Sequence, residues 1–171
     1  MKRFVVLLLV CVGLVASPVM AEVQKIGYVD LQKALNLSAA GKVAKEKIKT
    51  KVQSYDVDVQ QRQEELKKLK EDLEKQAMLL SDEARNAKER EYQQKVKDYQ
   101  RFTKDIQETL QQTDADLTRK ILESLLKVVQ DVGKNKGYTL VLEKTESSIV
   151  YADESIDMTD EVIKAFDQQG K

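Results

Sequence analysis

The residues Leu79-Leu80-Ser81-Asp82-Glu83-Ala84 decide the fold, because they stand near the middle of a run from Lys42 to Val132 that has neither glycine nor proline. Those two residues are the usual interrupters of a helix interior, so a run of this length is built for helix. Within it apolar side chains recur at threes and fours: Ile48, Val52, Tyr55, Val59, Leu66, Leu69, Leu73 and Leu80, then Tyr92, Val96, Tyr99, Ile106, Leu110 and Leu117. That spacing is a heptad seam. Unbroken, the helix would reach roughly 135 Å; folded in two, about 60 Å. Ser81 can cap a new helix, and Asp82 and Glu83 place two acids in its first turn, where the helix dipole favours them. A reversal there faces Leu73 with Tyr92, Leu69 with Val96, Leu66 with Tyr99, Val59 with Ile106, Tyr55 with Leu110 and Ile48 with Leu117. It leaves polar layers at Arg62–Thr103, Val52–Thr113 and Gln76–Glu89. A shift of one heptad also matches many layers, so the turn sets the register together with the seam.

Outside the arm the pattern changes. Lys25-Ile26-Gly27-Tyr28-Val29-Asp30-Leu31 reads as a strand, and Gln32 to Ala40 as a helical start leading into the arm. Gly133 is a plausible helix stop, with Lys134 and Lys136 complementing the negative helix end. Beyond Gly137 the period becomes two: Tyr138, Leu140 and Leu142 alternate with Thr139, Val141 and Glu143, and a turn leads to Ser148-Ile149-Val150-Tyr151-Ala152. This predicts a β-hairpin. Met158 to Phe166 is a short helix that Asp157 or Thr159 can cap.

A helical hairpin returns the chain to its starting point, so a strand at Tyr28 can lie beside strands at Leu140 and Val150. The fold expected is α+β: a long antiparallel helical hairpin projecting from a small β body. Residues 41–132 form the arm, with its tip near Ser81, and 22–40 with 133–171 form the body. Three strands and a short helix bury little and leave sheet edges open, so the body is expected to be completed by oligomerisation through Ile26, Tyr28, Val29, Leu140, Leu142, Ile149 and Val150.

Residues 1–21 carry a different message. Lys2 and Arg3 precede an apolar run from Phe4 to Ala16, and Val19 and Ala21 occupy the positions a signal peptidase reads. The run is too short to span a bilayer, and the reading is an export signal cleaved after Ala21. The only cysteine, Cys11, and the only proline, Pro18, would leave with it, so no disulfide can form. Loss of Lys2 and Arg3 leaves 27 basic against 29 acidic residues, without the basic stripe of a nucleic-acid binder.

The catalytic inventory is poor. The chain has no histidine, and after cleavage no cysteine, which removes the commonest general base, thiolate chemistry and the usual zinc ligands. Its glycines are isolated, so no phosphate-binding loop exists. Acidic pairs such as Glu64-Glu65 and Glu71-Asp72 lie among lysines on a helical pattern, the mark of a solvated face. The expectation is a non-enzyme without cofactor or metal. Two sets of residues can carry binding instead. One is Tyr55, Met78, Leu79, Tyr92, Tyr99 and Phe102, of which Met78, Leu79 and Phe102 fall off the seam. The other is Lys42, Lys45, Lys47, Lys49 and Lys51, with Glu46 the only acid among them, which could attract an anionic partner.

These elements resemble the Skp/OmpH family of periplasmic chaperones. The resemblance is carried by Ile26-Gly27-Tyr28-Val29-Asp30-Leu31-Gln32-Lys33-Ala34-Leu35-Asn36, by Ala40-Gly41-Lys42 opening the arm, and by Lys136-Gly137-Tyr138-Thr139-Leu140-Val141-Leu142 after it. Val150-Tyr151-Ala152-Asp153 and Asp157-Met158-Thr159-Asp160-Glu161-Val162-Ile163 complete it, so essentially the whole mature chain is covered. The resemblance implies a homotrimer whose strands join into a central barrel, with three arms around a cavity that holds unfolded outer-membrane β-barrel proteins without ATP. It departs in charge: Lys67 to Arg90 carries seven basic and six acidic residues, so the cationic tip of the best-known members, and with it a lipopolysaccharide or anionic-membrane site, is not carried over. The competing expectation is a structural coiled-coil spacer or adaptor of the cell envelope; a hydrolase with paired carboxylates is a distant third.

Overall fold

A computed structural model of the chain describes residues 24–76 and 79–170. The expected export signal and Met78 lie outside the described residues. In chain order the elements are β1 (Ile26–Val29), α1 (Leu31–Leu37), α2 (Ala39–Gln76), α3 (Asp82–Asn135), β2 (Leu140–Glu143), a 3₁₀ turn (Glu154–Ile156) and α4 (Thr159–Gln169).

The reversal falls at the expected place. Helix α2 ends at Gln76, and α3 begins behind Ser81, whose hydroxyl accepts the Ala84 N–H at 3.3 Å. Asp82 and Glu83 occupy the first turn of α3. The returning helix runs beside the outgoing one: Lys51 Nζ donates to Thr113 Oγ1 at 3.1 Å, Gln63 Nε2 to the Tyr99 hydroxyl at 2.6 Å, and the Arg62 guanidinium lies 4.1 Å from the Phe102 ring centre. These contacts agree with a register that faces Leu66 with Tyr99.

The base of the hairpin is anchored by an elbow. Ser38 adopts an extended conformation that interrupts the helix between α1 and α2. Its hydroxyl donates to the Leu35 carbonyl at 3.3 Å and accepts the Gly41 N–H at 3.2 Å, while the Asp167 carboxylate, reaching over from α4, accepts the Ala39 N–H at 2.9 Å. The new helix start is thus satisfied by two side chains. Gly41 is needed for the approach: a Cβ there would sit 1.7 Å from the Leu35 carbonyl oxygen.

At the other end, α3 does not stop at Gly133. The helix runs on to Asn135, and the left-handed residue that ends it is Gly137, with φ of 69°. Gly133 is buried within the helix, with Val141 Cγ2 3.6 Å from where its Cβ would be.

Strands β1 and β2 pair in parallel, Ile26 with Leu140, Gly27 with Val141, Tyr28 with Leu142 and Val29 with Glu143. A parallel pair needs a long crossover, and here the whole helical hairpin is that crossover. The β-hairpin expected after Gly137 does not form. The backbone turns through Lys144–Ser148, with Ser148 at φ 50°, and 149–153 runs as irregular chain that leaves Val150 fully exposed. The neighbour of β1 on its second side is instead a single bridge, Tyr28 to Asp157, with the Met158 N–H donating to the Tyr28 carbonyl at 2.9 Å. Alternation predicts that 148–152 can be a strand; it does not supply a strand to pair with, and β1 is already taken on both sides.

The core sits where the last turns of α3 meet the body. Ile121, Leu125, Val128 and Val129 pack with Val29, Ala34, Met158 and Val162. The heptad pattern alone carries the arm to Val132, whereas from Ile121 onward α3 serves the body. Thr159 is fully buried and accepts the Asp30 N–H at 2.9 Å, tying α4 to the end of β1.

Candidate functional site

Beyond the elbow the chain has only two helices, and two helices cannot enclose a seam. No side chain of α2 is buried, and the buried residues of α3 all belong to the base. Ile48, Tyr55, Val59, Leu66, Leu69 and Leu73 on α2, and Tyr92, Val96, Tyr99, Ile106, Leu110 and Leu117 on α3, are half-buried, and Val52 is exposed. The arm is therefore a solvated rod with an apolar stripe open along its length. Its outer surface is laced with ion pairs at i,i+3 and i,i+4, among them Lys75–Glu71 at 3.4 Å and Arg119–Asp116 at 2.9 Å. Each such exposed pair contributes little, but together they keep the helices soluble.

At mid-arm the stripe carries a cleft of about 250 Å³. Arg62, Glu65 and Leu69, spaced three and four apart, bring one flank of α2 to it; Glu91, Lys95 and Asp98 bring the matching flank of α3, and Leu66 and Tyr99 lie between. At its edge the Arg62 guanidinium stacks on Phe102, and the Tyr99 hydroxyl accepts a hydrogen bond from Gln63.

Of the residues singled out in the sequence, Tyr99 lies in this cleft and Phe102 forms the stacking partner at its edge. Tyr55 and Tyr92 sit on the seam at other levels of the arm, half-buried, and are not brought to it. Leu79 lies at the tip, 85% exposed. The lysine set is spread round the start of α2: Lys49 pairs with Glu46 at 3.4 Å and Lys51 bonds to Thr113, so it forms no single patch. The cleft's charged rim was legible as charges of both signs recurring at threes and fours beside the seam, but periodicity does not reveal where a cleft opens.

In the body, Tyr28 and Val29 are buried by their own chain, while Ile26, Leu140, Val150 and Tyr151 are exposed, the last at 83%. Strand β2 has β1 on one side only. Among the described residues no group of acidic side chains is arranged to hold a metal, and no helix is long and apolar enough to cross a membrane.

Comparison with known proteins follows the same lines. No curated protein matches the chain. Among solved structures, a candidate OmpH-like outer membrane chaperone from Caulobacter crescentus CB15 superposes with a TM-score of 0.80 over 85% of each chain, at 18% identity, a likeness of fold. A family model described as outer membrane protein (OmpH-like) matches residues 25–166, from the residue before β1 to the penultimate turn of α4, and the chain belongs to that family.

Proposed function

We propose that this protein is an ATP-independent holdase of the periplasm that binds unfolded outer-membrane β-barrel proteins between its arms and keeps them from aggregating before insertion. The observation that carries the reading is the arm itself: a helix of 38 residues without one buried side chain, bearing an apolar stripe half open to water. Such a stripe offers many shallow contacts and no deep one, which suits a client that must be shielded and then released. Family membership supports a chaperone role.

The same reading gives the body its partner. We infer a homotrimer in which the free edge of β2 and the segment with Val150 and Tyr151 are covered by neighbouring copies, since exposed apolar side chains beside an open sheet edge invite pairing. After signal cleavage the chain has no cysteine, so Val150→Cys reports cleanly. Disulfide-linked dimers are expected under oxidation, since one thiol per chain joins two chains at most, and light scattering should give three times the chain mass.

The experiment for the holdase is light scattering from two unrelated unfolded β-barrel proteins diluted from urea. Suppression of both at slight excess of trimer is expected. No suppression of either removes the reading. The ion-paired outer surface of the arm suits a spacer or adaptor equally well, and such a protein would recognise one folded partner and leave unfolded clients to aggregate.

A further inference from the structure

The mid-arm cleft is small and specific in its chemistry. Its volume of about 250 Å³ falls below the roughly 300–1,000 Å³ of pockets that take drug-sized ligands, so it suits one side chain of a longer chain. The floor is apolar: Leu66, Leu69 and the Tyr99 ring. The rim holds two cations, Arg62 and Lys95, and three carboxylates, Glu65, Glu91 and Asp98. Glu65 accepts from Gln61 at 3.2 Å and Asp98 from Gln94 at 3.0 Å, which leaves Glu91 with both oxygens free among the described residues.

We propose that this cleft binds single tyrosine or tryptophan side chains of an extended client. An aliphatic side chain would fill the floor but leave the rim carboxylates unused. A charged one would have to desolvate its head among charges of both signs. A side chain with a flat apolar body and a hydrogen-bond donor at its far end satisfies both parts: the ring lies against the leucines and Tyr99, and the hydroxyl or indole N–H reaches a carboxylate. Tyr99 adds an aromatic face, and Arg62 already stacks on one ring, Phe102, beside the opening. The assignment rests on the holdase reading for its client class. Outer-membrane barrels carry girdles of aromatic residues at both interfaces, so any such client supplies these side chains in quantity.

The chain contains no tryptophan, so indole emission comes from the probe alone. The test titrates the full mature protein into ten-residue glycine- and serine-rich peptides carrying one tryptophan, one phenylalanine or neither. The tryptophan peptide should show a saturable blue shift, reversed by excess N-acetyl-tyrosinamide, while the peptide with neither ring, labelled at its end, should not bind. Leu69→Phe, which fills the cleft with a side chain of its own, should abolish the shift, with helicity by circular dichroism confirming that the arm remains. Glu91→Ala touches only the rim. It should weaken the tryptophan peptide about 10- to 100-fold, the value of one hydrogen bond to a charged acceptor, and leave the phenylalanine peptide unchanged. Absence of a shift with the unaltered protein overturns the assignment, as does a shift that survives Leu69→Phe or equal losses for both peptides in Glu91→Ala. If the protein suppresses client aggregation while leaving the tryptophan peptide free, the cleft assignment fails and the holdase stands. If it binds the peptide but leaves both clients to aggregate, the cleft takes aromatic side chains and the holdase fails.

Discussion

Two small side chains and one carboxylate hold the body together at the scale of single residues. Gly41 has no room for a methyl group, because the obstacle is the Leu35 backbone and not a side chain that can turn away. Gly41→Ala should therefore cost at least the roughly 1–3 kcal/mol typical of overpacking, read as a lowered urea midpoint. Thr159→Val keeps the shape but leaves the Asp30 N–H without its acceptor in a buried place, and a loss of about 1–3 kcal/mol is expected in the same assay. Asp157 sets a pH response. Burial pushes its carboxyl up, but bonds from the Thr159 hydroxyl and N–H, the charge of Lys33 and the Tyr28 hydroxyl outweigh burial and hold it below the ordinary carboxylate value. A lowered folded-state pKa gives stability that is complete above the unfolded value of about 3.9 and is lost as pH falls through the folded value. Thermal melts should thus fall steeply below about pH 4, and Asp157→Asn should lower stability at neutral pH while flattening that acid limb.

The elements divide by how well they are buried. Helix α3 is continuous, yet its base is core and its outer length is open seam, so local stability should follow depth and not helix membership. Hydrogen exchange should find slow amides at Leu125–Val129 and amides faster by orders of magnitude around Leu66 and Tyr99. Leu125→Ala should cost about 2–5 kcal/mol, and Leu66→Ala clearly less, because Leu66 is already half in water. This division also marks what could be read in advance. The arm and its turn at Ser81 were legible because a heptad repeat and a capping serine are local signals. The fate of 148–152 was not, because alternation reports only that a segment tolerates a strand. The helix stop is not legible either: Gly133 lies inside the helix while Gly137 supplies the left-handed turn, and a glycine looks the same in either place. The mid-arm cleft depends on side-chain detail that no pattern of apolar residues encodes.

Taken whole, the molecule is a small body with a long lever, and solution scattering should show it. Helix α2 alone spans roughly 57 Å at 1.5 Å per residue, so the pair-distance distribution should carry a tail far beyond that of a compact protein of equal mass. The whole lever is inserted between two strands that sit side by side. Equal numbers of residues can therefore be added to or removed from both limbs, in steps of seven, without disturbing the ladder from Ile26 to Leu140. Reach is an independent variable of this design: the body and the length of its arm can be retuned separately, by counting turns.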